Sequence, residues 1–207
     1  MTRTTLIIAR HGNTFESGEA PRRVGCRTDL PLTTKGEDQA RAIGHYIATN
    51  GYTPDVLFTS TLQRTMRTGA LALEAARIDA PSSTLPFLNE IDYGPDENQT
   101  EDHVIARLGE TALQDWETNG IMPPDWSPRP ATIIDGWTTF ADDIVRTRPG
   151  QCVMVVTSNG IARFAQHLCP DPDSLARAHG LKMATGSLSV FVHDDDQWIL
   201  EGWNIRP

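Results

Sequence analysis

Three short apolar runs constrain this chain most: Thr5–Ala9 (TLIIA), Asp55–Thr59 (DVLFT) and Cys152–Thr157 (CVMVVT). They are rich in β-branched residues and do not alternate apolar with polar, as a strand with one wet face would. Each therefore reads as a strand buried on both faces of a parallel sheet. Helical spacing fills the gaps between them. Thr34 with Glu37 predicts a capping box, and Ala40, Ile43, Ile47 and Ala48 then fall at helical spacing. Ser60 to about Ala76 reads as a second helix, with Leu62, Met66, Leu71 and Leu73 available for burial. Alternating strands and helices predict an α/β fold: a three-layer α/β/α sandwich with a mostly parallel central sheet.

The 207 residues suit a single domain, 1–207. Residues 15–32, rich in Gly, Pro and Arg, read as a loop, and Pro81 and Pro86 bracket an extended connection. Residues 92–136 break the rhythm with Pro95, Pro123, Pro124, Pro128 and Pro130, and leave room for one helix over Glu101–Thr118. They are expected to form an inserted cap over the strand ends, with a packed loop lobe as the alternative. Further helices are predicted over Trp137–Thr147 and Gly160–Leu168, and a hairpin of Ser187–His193 and Gln197–Trp203 closes the chain.

The net charge of −9 disfavours nucleic acid and anionic membranes as partners. No stretch is long and apolar enough to span a bilayer. Three cysteines, Cys26, Cys152 and Cys169, are an odd number without metal-ligand spacing. Reduced thiols in a cytoplasm are expected, with no metal site.

The first strand delivers Arg10-His11-Gly12-Asn13-Thr14 at its carboxyl end, where open α/β sheets bind ligands. A histidine that accepts phosphate needs a neutral ring nitrogen and arginines for the phosphate oxygens. The triplet alone also fits a structural or surface histidine. Arg22, Arg23 and Arg27 either guide anions or are ordinary solvated loop charges.

Four segments in order resemble the histidine phosphatase superfamily, the phosphoglycerate-mutase-like group. Leu6–Thr14 (LIIARHGNT) resembles its strand and RHGxT signature. Gly25–Ala40 (GCRTDLPLTTKGEDQA) resembles its Asp-x-Pro-Leu-Thr-x-x-Gly-x-x-Gln-Ala segment. Thr59–Thr68 (TSTLQRTMRT) resembles SSxLxRxxxT, and Leu88–Gly94 (LNEIDYG) resembles LxExxxG. The resemblance implies His11 as nucleophile, Glu90 as general acid and then base, and Arg10 and Arg64 as phosphate ligands. Asn13 and Thr14 would support the phosphate pocket. No cofactor is implied, and the expected ligand is a small phosphate ester, a phosphoprotein or free phosphate.

The second half departs from the pattern. The family's strand ends VSHGGxIR, with a second histidine on the phosphate; here it ends VVTSNGIAR, which puts Ser158 at that position. Ser158 and Asn159 can donate hydrogen bonds to phosphate, and backbone N–H groups at the start of the next helix can assist. None supplies the charge of an imidazolium. His167 falls on the next helix, His193-Asp194 on the terminal hairpin, and His45, His103 and His179 in no motif. Losing one charge-assisted contact costs about 3 kcal/mol of transition-state stabilisation, or roughly 100- to 1000-fold in rate. Three activities fit: a cofactor-independent phosphomonoesterase working through phosphohistidine, a weak or inactive phosphate-binding regulator, and phosphoglycerate-mutase-type phosphotransfer. The sequence names neither the substrate nor the oligomeric state.

Overall fold

A computed structural model describes residues 3–207. The first apolar run becomes β1 (Thr4–Arg10), the second β2 (Val56–Thr59) and the third β4 (Cys152–Thr157). With β3 (Ser82–Thr84), β5 (Leu188–Asp194) and β6 (Gln197–Ile205) they form one sheet in the order β3-β2-β4-β1-β5-β6. The first four strands run parallel, and β5 and β6 are antiparallel. Asp195 and Asp196 both take positive φ, which turns β5 into β6 through a tight two-residue connection.

The absence of polar alternation follows from two-sided burial. Ile7 and Ala9 of β1 and Met154 and Val156 of β4 pack with Ile43, Ile47, Ala72 and Leu73 of α1 (Thr34–Thr49) and α2 (Gln63–Ala76). Leu6, Ile8, Val153 and Val155 face the other layer. That layer holds α3 (Glu101–Leu108), α4 (Glu110–Asn119), α5 (Pro130–Thr147) and the short α6 (Asn159–Ala162), which continues as a 3-10 helix over Arg163–Leu168. The exposed α7 (Pro172–His179) follows. The sandwich is thus α/β/α around a mostly parallel sheet. Among the described residues, no helix is long and apolar enough to cross a membrane. The three cysteines are unpaired.

Several local expectations shift. The N-cap of α1 is Thr33, not Thr34: its side chain accepts from Gly36 N, while Glu37 pairs with Arg67 and Arg41 instead of closing a capping box. Ala48 is exposed. So is Met66, because Arg64, Thr65, Thr68 and Gly69 take the buried face of α2. The single helix expected over 101–118 is broken in two at Gly109, whose φ of 83° is left-handed. The helix expected from Trp137 begins a full two turns earlier, with Pro130 in its first turn.

Within 92–136 an aromatic cluster is built on a buried carboxylate. Tyr93, Trp116 and Trp126 meet edge to face. Asp96, fully buried, accepts from Trp126 Nε1 at 2.7 Å and from Arg107 Nε at 2.7 Å, with Arg107 Nη2 on its other oxygen. Burial alone would raise its pKa; the Arg107 and Trp126 hydrogen bonds outweigh it and hold the carboxyl below its ordinary value. Asp96→Ala leaves the buried Trp126 N–H without an acceptor and Arg107 with only the exposed Asp125, at 3.2 Å. It is expected to destabilise the protein by about 3 kcal/mol, read from the urea midpoint. A loss well under 1 kcal/mol would show that the cluster stands without the ion pair.

Candidate active site

β1 and β4 end side by side. Arg10 is in register with Thr157, and His11 N donates to Thr157 O at 3.0 Å, so His11 and Ser158 leave the sheet together. This is a topological switch point: β4 and β2 lie on one side of β1, and β5 on the other. Two glycines let the first turn of α1 press against the His11 loop. A Cβ on Gly12 would overlap Gly36 O, and one on Gly36 would overlap Asn13 O. Thr68 fastens the loop to α2, accepting from Gly12 N at 3.1 Å and donating to Arg64 O at 2.7 Å.

His11 is 7% exposed, and its Nδ1 lies 2.7 Å from Gly12 O. A carbonyl only accepts, so this contact assigns the hydrogen to Nδ1 and leaves the lone pair on Nε2. Burial, then the positive charges of Arg64 and Arg10, hold the imidazole pKa well below its ordinary value, against the weaker pull of the Gly12 bond. The ring is thus a neutral, oriented base at pH 7.

Both arginines are held by backbone carbonyls. Arg64, fully buried, donates from Nη1 to Thr28 O (2.8 Å) and from Nη2 to Gly25 O (3.1 Å). Arg10 donates from Nη1 to Met183 O at 2.5 Å. The Nε of each arginine and the Oγ of Ser158 are buried without a hydrogen-bond partner. Buried polar atoms are rarely left unpaired. Three such atoms on residues gathered at one sheet end fit the oxygens of a phosphoryl group.

Glu90 is 6% exposed. Its Oε1 accepts from Ile91 N at 2.9 Å and its Oε2 from Gly160 N at 3.2 Å. A Cβ on Gly160 would overlap Glu90 Oε1, so glycine is what admits the carboxylate here. Thr157 Oγ1 donates to Leu88 O at 2.6 Å and ties the Glu90 segment to the end of β4. Asn159 Oδ1 accepts from Met183 N at 2.9 Å, which holds the segment that binds Arg10.

Three expectations change. The Asn13 amide donates to Phe15 O (2.5 Å) and Thr33 Oγ1 (3.2 Å), so both its N–H groups serve the loop and none is left for phosphate. Gly160 N–H is taken by Glu90. Arg22, Arg23 and Arg27 are tied to the 92–136 segment: Arg22 to Asn98 O, Arg27 to Asp92 and Gly94 O, and Arg23 to Glu101 and over the Tyr93 and Trp126 rings. Thr14 is half-buried. Residues that sequence reasoning passed over are Thr68, Thr157, Tyr93 and Arg163. Tyr93 is buried, and burial with nearby Glu90 pushes its phenol above the ordinary value. All four lie within segments quoted above: Thr68 ends TSTLQRTMRT, Tyr93 falls in LNEIDYG, and Thr157 and Arg163 fall in VVTSNGIAR.

The family model of the histidine phosphatase superfamily, branch 1, matches residues 6–206. The chain belongs to that superfamily. Among curated relatives, a 2,3-bisphosphoglycerate-dependent phosphoglycerate mutase of Mycobacterium bovis (strain BCG / Pasteur 1173P2) is 31% identical, over 88% of this chain and 82% of the mutase. That of Thermobifida fusca (strain YX) is 28% identical, over 93% and 88%. Among solved structures, a mycobacterial glucosyl-3-phosphoglycerate phosphatase shares the fold with a TM-score of 0.81 at 20% identity, with both chains fully covered. The superfamily's members among these relatives are phosphatases and mutases.

The His11 environment has a measurable consequence. Below about 6.5 the unfolded chain takes up a proton that folded His11 refuses, so this group's contribution to stability is full above that pH. It falls as pH drops towards the lower folded pKa. The NMR titration midpoint of His11 is expected well below 6.5, and Arg64→Met is expected to raise it. A midpoint at 6.5 or above would contradict the electrostatic reading.

Proposed function

We propose that this chain is a cofactor-independent phosphomonoesterase that works through a phosphohistidine on His11. The observation that carries the reading is the neutral His11 ring, oriented by Gly12 O, beside the buried Arg64 and half-buried Arg10, whose buried Nε atoms have no protein partner. Phosphoryl transfer depends mainly on positioning and charge stabilisation, and both are present here. His11 Nε2 attacks phosphorus, the bond to the ester oxygen breaks, and Glu90 protonates the departing alkoxide. A water then attacks the phosphorus, Glu90 takes its proton, the P–Nε2 bond breaks and phosphate leaves. Arg10 and Arg64 hold the equatorial oxygens throughout, with the Ser158 hydroxyl as a further, uncharged donor and Thr14 and Asn159 as supports. The 92–136 segment is the cap that selects the leaving group. The substrate is a small phosphorylated metabolite or a phosphoprotein.

Two other readings have specific support. The mutase relatives favour transfer to a second substrate hydroxyl instead of water. Ser158 at the position of the second histidine favours a slow or non-catalytic phosphate binder.

Brief mixing with a turned-over phosphate ester is expected to leave acid-labile, base-stable phosphate on His11, found by mass spectrometry. His11→Ala should lose at least 1000-fold in kcat/KM. Phosphate on a serine or aspartate would refute the mechanism. Inert wild type that binds inorganic phosphate would favour the regulator, and transfer to an added polyol phosphate without release of free phosphate would favour the mutase.

Glu90→Gln tests the proton transfers separately. A general acid matters most for poor leaving groups. The variant is expected to slow alkyl phosphates by about 100-fold or more and nitrophenyl phosphate far less. Equal slowing of both would leave Glu90 a structural role only.

A further inference from the structure

Glu97 follows the 3-10 turn Gly94–Asp96 at the start of the 92–136 segment, and no step of the chemistry above uses it. Its half-buried carboxylate accepts four hydrogen bonds, all from neutral donors. Oε1 takes Gly25 N at 3.0 Å, Arg27 N at 3.2 Å and Thr28 Oγ1 at 2.7 Å, and Oε2 takes Tyr93 N at 3.3 Å. A Cβ on Gly25 would overlap Glu97 Oε2 and Ile91 O, so the close approach needs glycine there. Cys26 N fills the gap, donating to Ile91 O at 3.1 Å. The backbone N–H groups of residues 25–27 and the Thr28 hydroxyl thus all face the 91–97 stretch.

Two carbonyls of the same loop face the other way. Thr28 O and Gly25 O accept from Arg64 Nη1 and Nη2, while Arg64 Nε has no protein partner. One loop is therefore gripped on its donor side by a carboxylate and on its acceptor side by a guanidinium of the phosphate site. Both grips are charge-assisted, the stronger kind of hydrogen bond, so the loop's shape is held between the two charges. Asp29 anchors the far end independently: its Oδ1 accepts from Gln63 N at 2.9 Å, and its backbone carbonyl from Gln63 Nε2, at the first turn of α2. Loss of Glu97 would thus loosen the carbonyls of 25–28 without detaching the loop from α2.

We propose that Glu97 is a positioning residue for Arg64: it folds residues 25–28 so that the Gly25 and Thr28 carbonyls aim the guanidinium at the phosphate. It acts through the loop rather than on the phosphoryl group, and the same contact makes the 92–136 segment and the phosphate pocket one unit. The inference rests on the phosphate site proposed above and deepens it.

The test pairs binding of inorganic phosphate, by isothermal titration, with the NMR titration of His11 in phosphate-free protein; near-UV circular dichroism verifies folding. Glu97→Ala frees the loop and is expected to weaken phosphate binding at least tenfold. It should also raise the His11 midpoint, because the positive charge of Arg64 that lowers it is no longer held in place. Both signs oppose a pure charge effect: removing a carboxylate near the site would by itself tighten anion binding and lower the midpoint. Glu97→Gln keeps an oxygen for the Gly25, Arg27 and Thr28 donors and should cost less than threefold. If Glu97→Ala does not fold, Thr28→Val carries the test: it deletes the 2.7 Å bond alone and should weaken phosphate binding at least twofold. The proposal is overturned by a folded Glu97→Ala with unchanged or tighter affinity, by an unmoved or lowered His11 midpoint, or by a Glu97→Gln as weak as Glu97→Ala. Where Glu97→Ala does not fold, unchanged binding in Thr28→Val overturns it. Wild type that binds no phosphate would instead sink the phosphatase reading, and the His11 midpoint would still decide whether Glu97 positions Arg64.

Discussion

The parallel pairing of β1 with β4 is the constraint on which the site depends. Its register is set by burial: Leu6 and Ile8 face one helical layer, Ile7 and Ala9 the other, and β4 alternates in step. A slip of one residue would move every side chain to the opposite face. With the register fixed, the strand ends carry His11 and Ser158 out of the sheet together. Thr157 then recruits the third segment through Leu88 O, and Gly160 closes on the Glu90 carboxylate. Three stretches far apart in sequence thus meet without any of them needing an ion pair to be brought there.

The way the cations are held matters as much as their position. Arg10 and Arg64 donate to Met183, Thr28 and Gly25 carbonyls, which are neutral acceptors. A carboxylate partner would orient a guanidinium equally well but would cancel the field a phosphate needs. Elsewhere the chain makes the opposite choice. Arg23 is set against Glu101, Arg27 against Asp92 and Arg107 against Asp96, and each of these pairs joins or stiffens the 92–136 segment. In a protein of net charge −9, the site's positive potential comes from how two side chains are anchored rather than from a basic surface.

The same distinction explains what the sequence made legible. The doubly buried strands could be read because burial on both faces removes polar alternation. His11, Arg10, Arg64 and Glu90 could be read because each sits in a short contiguous segment with a recognisable pattern. The break at Gly109 and the exposed Met66 could not. In the first, one left-handed glycine interrupts an otherwise helical stretch; in the second, the buried face of the first turns of α2 is given to Arg64, Thr65 and Thr68 instead of to Met66. Met183 holds Arg10 through its backbone carbonyl, which any residue type supplies, so local sequence carries no mark of it. The two readings of Arg22, Arg23 and Arg27 stayed open in the sequence because their partners, Asn98 O for Arg22 and carboxylates for Arg23 and Arg27, lie dozens of residues away.

Ser158 brings these threads together. An imidazolium at its position would bind the phosphoryl group in substrate, transition state and product alike. The part of that contact common to all three lowers KM and slows release of phosphate without speeding chemistry; only the part that grows as charge redistributes raises kcat. Replacing it with a hydroxyl therefore does not remove the whole of a charge-assisted contact from the rate. The depressed pKa of His11, the proposed nucleophile, comes from burial, Arg64 and Arg10, and all three remain. One fewer cation near the ring also lessens the repulsion that keeps the imidazole neutral, so burial and the two arginines must do that work alone. That demand agrees with an imidazole sealed to 7% exposure and with guanidiniums left uncancelled by any hydrogen-bonded carboxylate.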